Sequence, residues 1–422
     1  MKMKINPFIE TKVGNLHLKN RIVRSATYEG AADRNGYPGP KYFSMYKLLA
    51  KNNVGMIITG FSFVSQTGRA MQQSQSGIDS KDKIEFFRKI TKAVHKYDCP
   101  IIMQLAHSGR QTLKQETLTS PISSTTKRSI YFREKPKLIS REEIDKVIEQ
   151  FKNSACFAKE AGFDGVQLHA GHGYLLHQFI LPETNSLANE FGIDESTGIG
   201  TKLIDVIFDK IKESCGDLFT ILIKISGSHN LSDNFYSAKF DYLIKFLDTK
   251  KFDAIEISFG TMDYPLNIFR GELNTELVFQ YNPIFKTKNI LKRKIYTCLI
   301  NKIIAPKFIG FSPMYNLHFA ERAKKMTDIP IISVGGFRSK KEIEYAISNR
   351  MTDLVSLSRP FICEPDFVNK MLHADDDYKS KCKNCNKCVF MCDSGRVTTC
   401  YSNAKNLYDE KEDELCYRKI IC

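Results

Sequence analysis

No stretch of the 422-residue chain approaches about 18 uninterrupted apolar residues, so nothing in it is built to span a bilayer. Residues 1–10 carry charge and no apolar centre, which does not match a secretory leader; a cytoplasmic protein is expected. No strand-like run is followed by Gly-x-Gly-x-x-Gly, so a separate dinucleotide-binding half is not visible. Acidic residues are outnumbered, 47 against 62 basic, for a net charge of +15. Part of that excess is local: Lys286, Lys288, Lys292, Arg293, Lys294, Lys302 and Lys307 fall in one segment without an acid among them. No nucleic-acid-binding motif accompanies the segment, so a solvated surface or the attraction of a phosphorylated ligand explains it better than nucleic acid. Neither a nucleic-acid nor a membrane partner is expected.

What is present is a globular composition, 42% hydrophobic and 26% charged. Eight short β-rich runs, at 22–27, 54–60, 100–106, 165–170, 219–226, 253–258, 329–336 and 354–360, alternate with helical periodicity. The helical segments include 41–52, 80–97, 141–162, 201–215, 237–249, 316–327 and 339–349, the third opened by a Ser140/Glu143 capping box. Alternation of this kind signals parallel βαβ units. Eight of them predict an α/β fold, a (β/α)8 TIM barrel, with a doubly wound sheet as the alternative. The length suits one such domain over 1–372, interrupted by a loop insertion at 260–315, plus a Cys-rich extension at 373–422.

In a barrel the chemistry sits where strands end. The fourth run ends in Gly165-Val166-Gln167-Leu168-His169-Ala170-Gly171-His172-Gly173-Tyr174. Two imidazoles at i, i+3 can donate two hydrogen bonds to one oxygen, and the nearby phenol of Tyr174 can supply a proton. That describes a site for polarising a carbonyl; a pair of capping or core histidines is the plain alternative. A zinc-protease site is disfavoured, because the spacing is three and no Glu lies between the two histidines.

The other ends add Ser25, Ala26, Thr27 and Tyr28 on the first run, Gly60 on the second and Gln104 on the third. Lys224 lies in an apolar fifth run, Gly335 and Gly336 close the seventh, and Ser358 and Arg359 close the eighth. Glycines and a Ser-Arg at the last two ends make a phosphate cradle. A buried lysine needs an electron-rich partner: either a ligand or a structural ion pair inside the barrel mouth. Phosphate cradle, strand-borne Gln, buried cation and His pair together describe a flavin mononucleotide (FMN) site. Gln104 would face the pyrimidine edge and Lys224 the N1 side of the ring.

At these residues the chain resembles the Old Yellow Enzyme family of NADH:flavin oxidoreductases, from Asn6 to about Asp366. The resemblance is carried by Leu18-Lys19-Asn20-Arg21-Ile22-Val23, Ser25-Ala26-Thr27, Gln104 to Arg110, the His169/His172/Tyr174 triplet, Ser333 to Gly336, and Ser356 to Pro360. It implies an FMN enzyme that takes hydride from NADH or NADPH and passes it to the C=C bond of an α,β-unsaturated carbonyl compound. In that reading His169 and His172 bind the carbonyl oxygen and Tyr174 is the proton donor. Two positions depart from the pattern. Tyr28 stands where relatives often carry Thr or Cys, and Lys224 replaces an arginine, keeping the charge but not the planar fork.

The insertion is expected to be a lid or a partner surface. The extension carries Cys382, Cys385 and Cys388 at Cys-x2-Cys-x2-Cys spacing, with Cys400 after eleven intervening residues and Cys392 between. In a chain of twelve cysteines without a secretory leader, that is a metal-site spacing. Iron–sulfur relatives hold a [4Fe–4S] cluster on similar cysteines with one more residue before the third, and continue into further nucleotide-binding domains, whereas this sequence stops at Cys422. A cluster on Cys382, Cys385, Cys388 and Cys400, a zinc knuckle, or unligated thiols stay open. Two further functions follow from the same residues: an electron-entry subunit reduced through a redox partner, or an inactive barrel acting as a binding module. A homo-oligomer is expected.

Overall fold

The computed structural model of the chain describes residues 5–229, 237–374, 377–403 and Tyr417. Eight parallel strands form its centre: β1 Ile22–Arg24, β2 Met56–Ile58, β3 Ile101–Ala106, β4 Gly165–Ala170, β5 Thr220–Ser226, β6 Ala254–Ser258, β7 Ile331–Val334 and β8 Leu354–Leu357. They pair in sequence order, β8 returns to β1, and the sheet closes into the expected barrel. Around it pack α1 Pro40–Lys51, α2 Ile84–His95, α3 Arg141–Glu160, α4 Lys202–Cys215, α5 Ser237–Lys250, α6 Leu317–Lys324, α7 Lys340–Ser348 and α8 Phe367–His373. No helix among the described residues is long and apolar enough to cross a membrane.

Two-residue periodicity sorts each strand's side chains. In β5, Ile221, Ile223 and Ile225 face the helices in the large outer core, while Leu222 joins Val23, Met56, Ile58, Ile102, Ala254, Ile332 and Leu354 inside the barrel. Lys224 therefore points inward. A hairpin of Thr11–Val13 and Leu16–Leu18 plugs the amino-terminal end of the barrel with Val13 and Leu18. The fully buried rings of Phe87, Phe151 and Phe367 each stabilise the outer layer by roughly 1.5–3 kcal/mol.

The amino-terminal end carries a repeated clasp. Asp164 precedes β4 and accepts from the N–H of Ile101 at the start of β3 (2.7 Å). Asp253 precedes β6 and accepts from Ile221 of β5 (2.8 Å), and Asp353 precedes β8 and accepts from Ile331 of β7 (2.9 Å). Each clasp fixes strand register where no side-chain chemistry is needed.

The expected helices are found, with the Ser140/Glu143 capping box on α3 and a second box, Ser339/Glu342, on α7. Strands end earlier than their apolar runs: β1 stops at Arg24 and β8 at Leu357, because the chain there turns to present side chains to the mouth. The insertion is more ordered than its sequence indicated. It holds helices Pro265–Phe269 and Thr275–Tyr281, then one rod running through Ile290–Leu299, Ile300–Ile304 and Ala305–Lys307. Tail residues 377–403 lie back on the mouth: Thr398 donates to the carbonyl of Glu29 (2.7 Å), and Glu272 of the insertion donates to that of Asn384 (3.0 Å).

Candidate active site

A cavity of about 540 Å³ opens at the carboxyl ends of the strands. It gathers Ser25, Ala26, Thr27, Gln104, Lys224, Gly335, Gly336, Ser358 and Arg359 together with His169, His172 and Tyr174. Of the residues singled out for cofactor or catalysis, Gly60 alone lies off this cavity. Its N–H donates to Glu29 (2.7 Å), and a Cβ there would meet the Glu29 carboxylate at 2.3 Å, so the glycine is required by packing.

The His-Tyr cluster is made by the turn after β4. His172 adopts φ +58° and Gly173 φ +78°, a left-handed pair that swings the chain into the short helix Leu175–Ile180. A non-glycine residue in that region is held only by its surroundings. Here the His172 N–H donates to Ser226 Oγ (3.0 Å), and its Nε2 pairs with Ser258 Oγ (2.8 Å). The His169 and His172 rings stand edge to face, 4.9 Å apart at 87°. Tyr174 is also 4.9 Å from His169 and stacks on Phe61 at 5.6 Å. Nδ1 of His169 is fully buried and has no hydrogen-bond partner among the described residues.

Burial first, and then the charge of Lys224, hold His169 well below the ordinary imidazole range; His172 is lowered by burial, His169 and Lys224. Both rings are neutral at pH 7. Burial raises the Tyr174 phenol above its ordinary range, so it keeps its proton.

Beneath the pair runs a closed polar network. Lys224 Nζ lies 3.3 Å from Glu256 Oε2 and donates to Ser25 Oγ (3.0 Å). Glu256 also accepts from Ser25 (2.6 Å), Ser356 (2.7 Å) and Gln167 (3.0 Å), and Gln104 donates to Gln167 (2.7 Å). Burial alone would raise the Glu256 carboxyl, but Lys224 and these donors hold it below its usual range, so the carboxylate is ionised. Of the two readings open for Lys224, the ion pair is therefore present, within a cavity that also has room for a ligand. Glu256 went unnoticed in the sequence. Its signal was there: one acid in an apolar run, in register with Lys224 on the neighbouring strand.

At the opposite end, Gly335 (φ +126°) and Gly336 (φ +86°) turn the backbone after β7. A Cβ at 335 would come within 2.6 Å of the Tyr315 ring, and one at 336 within 2.4 Å of the Met314 nitrogen. Beside them lie two buried guanidiniums, Arg338 and Arg359. Arg338 donates through Nε to Asn384 Oδ1 (2.9 Å), and Arg359 donates to Asn386 Oδ1 (2.6 Å) and the carbonyl of Arg270 (3.0 Å). Burial and then the charge of Arg359 pull Arg338 below the ordinary arginine range. Two neighbouring cations, each donating to neutral oxygens, make a site for an anion. Arg338 was missed because it lies just beyond the turn that drew attention.

Cys382, Cys385, Cys388 and Cys400 line a second cavity, of about 310 Å³, together with Cys363 at the end of β8's short following helix, Arg359–Cys363. Cys392 lies apart, in the wall of the first cavity with its thiol against the carbonyl of Cys388 (3.3 Å). Among the described residues no three His, Cys, Asp or Glu side chains converge closely enough to hold a single metal ion.

The chain matches the NADH:flavin oxidoreductase / NADH oxidase family over residues 7–289 and 288–377. It is 25% identical to an NADH oxidase of Thermoanaerobacter brockii over 93% of its own length and 54% of the relative, so it spans about half of that protein. It is 26% identical to an NADPH dehydrogenase of Bacillus subtilis (strain 168), covering 86% of this chain and 92% of the other. Among solved structures, an old yellow enzyme homologue from Zymomonas mobilis shares the fold with a TM-score of 0.69 at 20% identity, over 89% of this chain and 94% of that one.

Proposed function

The chain belongs to the NADH:flavin oxidoreductase / NADH oxidase family, the Old Yellow Enzyme family, and we propose that it is an FMN-dependent NAD(P)H oxidoreductase acting on the C=C bond of α,β-unsaturated carbonyl compounds. The observation that carries the acceptor class is the cluster of two neutral imidazoles and a protonated phenol that lines the mouth cavity.

The residues fit FMN. Arg338, Arg359 and the Gly335-Gly336 turn offer donors and positive charge to a terminal phosphate. Gln104, whose amide nitrogen is spent on Gln167, keeps its carbonyl oxygen for a ring N–H, while Lys224 supplies a cation. When bound, FMN supplies the two-electron chemistry, taking hydride from the nicotinamide and delivering it to the acceptor. The protein's own part is polarisation and protonation. His169 and His172 donate to the acceptor's carbonyl oxygen, where negative charge develops. His172 uses Nε2 on Ser258, so Nδ1 is its nitrogen for this purpose. Tyr174, 4.9 Å from His169 and kept protonated by burial, gives its proton to the α-carbon.

Anaerobic stopped-flow tests this. NADH or NADPH bleaches the flavin bands, and 2-cyclohexenone restores them with cyclohexanone as product. A bleached flavin that no enone reoxidises rejects the acceptor class.

A second reading, electron entry through a cluster, is favoured by one observation: the thiol cavity and the mouth cavity share Arg359, Ile362 and Cys388. Cys382, Cys385, Cys388 and Cys400 line one cavity, and they are the thiols that would hold a [4Fe–4S] cluster on this reading. Anaerobic reconstitution with iron and sulfide gives broad brown absorbance that Cys388→Ser abolishes. A protein that takes up no iron leaves the thiols unligated and this reading without support.

A further inference from the structure

Among the described residues thirteen large hydrophobic side chains are exposed, and five of them, Ile290, Leu291, Ile295, Leu299 and Ile303, fall on the insertion rod, each 45–70% accessible. Four recur every fourth residue, which draws them into one ridge along a helix. No residue of Ile290–Leu299 is buried, so this part of the rod lies on the protein without entering its core. The rod is seated by Tyr296, Ile300 and Ile304 against Phe279, Phe285 and Phe390, and its ridge runs from the exposed Leu291 and Ile295 to Leu299 and Ile303 at the rim of the mouth cavity. An exposed apolar ridge of this kind marks an interaction surface.

Its flanks say which kind. Segment 286–307 holds seven basic residues and no acid. Arg293 reaches Glu276 (3.3 Å), whereas Lys286, Lys288, Lys292, Lys294 and Lys302 have no carboxylate partner among the described residues. Aliphatic side chains flanked by unpaired lysines on a surface helix are the pattern that lies in the interface of an anionic bilayer. A nucleic acid would use the lysines but has no use for five aliphatics, and the exposed ridge offers no aromatic ring for base stacking. No membrane partner is expected from the sequence, which holds no spanning run, but a surface-lying helix needs none.

We propose that the rod of residues 290–307 docks the protein on anionic lipid membranes, with the aliphatic ridge entering the headgroup–acyl boundary and the lysines meeting the lipid phosphates. Leu299, Ile300, Ile303 and Ile304 also line the mouth cavity, so docking sets its entrance against the lipid surface.

The test uses full-length holoprotein and vesicles of phosphatidylcholine with or without phosphatidylglycerol. The protein sediments with the anionic vesicles, stays in solution with the neutral ones, and is released by salt. Leu291→Asp with Ile295→Asp, and separately Lys292→Glu with Lys294→Glu, each weaken vesicle binding by about tenfold or more. Neither pair lines the cavity, so the flavin spectrum and the turnover of water-soluble 2-cyclohexenone stay unchanged. No sedimentation with anionic vesicles, or binding indifferent to both variants, overturns the proposal. So does a dimer that the Leu291/Ile295 variant dissociates, or retention of RNA that depends on the lysines alone. Vesicle binding is read without turnover, so its failure leaves the proposed oxidoreductase activity untouched.

Discussion

Lys224 and Glu256 stand in register on adjacent parallel strands, Nζ 3.3 Å from Oε2, both shut off from water beneath the mouth cavity. The cation available to a bound flavin is thus already half-neutralised by its neighbour. Glu256→Gln removes the counter-charge and keeps the shape. The flavin's reduction potential rises by on the order of 30 mV, equivalent to about 1.4 kcal/mol for a two-electron couple, in a dye-equilibrated titration. The apoprotein loses about 3–5 kcal/mol of stability, because a buried ammonium is left unpaired. An unchanged potential would place Lys224 away from the ring.

Arg338 and Arg359 make a second prediction. If both hold the terminal phosphate, Arg338→Met and Arg359→Met each weaken FMN binding by roughly ten- to a hundredfold, the range of a charge-assisted hydrogen bond. Riboflavin, which lacks the phosphate, binds wild type and variants alike in fluorescence titration. A parallel loss of riboflavin binding would mean that the arginines act on the fold.

His169→Ala with His172→Ala leaves the flavin in place and lowers enone turnover by at least about a hundredfold, while flavin reduction by NAD(P)H is altered less. Tyr174→Phe costs roughly 10²–10⁴-fold in turnover if the phenol is the proton donor. A double histidine variant that reduces enones at the wild-type rate removes the pair from the reaction.

The buried imidazoles also give the fold a pH signature. His107 and His177 are lowered by burial to about 3 and His229 to about 4, against 6.5 in the unfolded chain, with His169 and His172 well below it. A base whose folded pKa is depressed contributes its full stability above 6.5 and loses it as pH falls, because only the unfolded chain then takes the proton. Each of the fully buried pair His107 and His177 costs on the order of 2 kcal/mol between pH 7 and pH 5. Asp393, raised by burial to about 6, opposes them weakly, since its folded form takes a proton first. Urea midpoints should therefore drop steadily from pH 7 to pH 5; a flat profile would mean that these rings ionise freely in the native state.

The barrel and its polar rim were legible in the sequence because a two-residue period against a 3.6-residue period separates strands from helices. An isolated Lys224 or a His-x-x-His inside an apolar run stands out as well, since burying such groups is costly unless a partner or a ligand meets them. What escaped was set by pairing across the chain. Glu256 matters through its register with Lys224, and Arg338 through its nearness to Arg359. Asn384 and Asn386 look like ordinary turn residues, yet both adopt left-handed backbone and aim their side-chain oxygens at those two arginines. The rod was legible only as a basic insertion expected to be a lid or a partner surface; which of its aliphatic side chains stay outside the core is set by how the insertion packs on the barrel.

The clasps of Asp164, Asp253 and Asp353 bind β3 to β4, β5 to β6 and β7 to β8 at the end away from the cavity. Closure of the cylinder is thereby secured in twos, by groups no substrate ever meets. The mouth is left free to be re-equipped: its loops, its insertion and its cysteine-bearing tail can diverge without loosening the staves beneath them. In such a chain tolerance of change and commitment to shape occupy opposite rims of the same barrel.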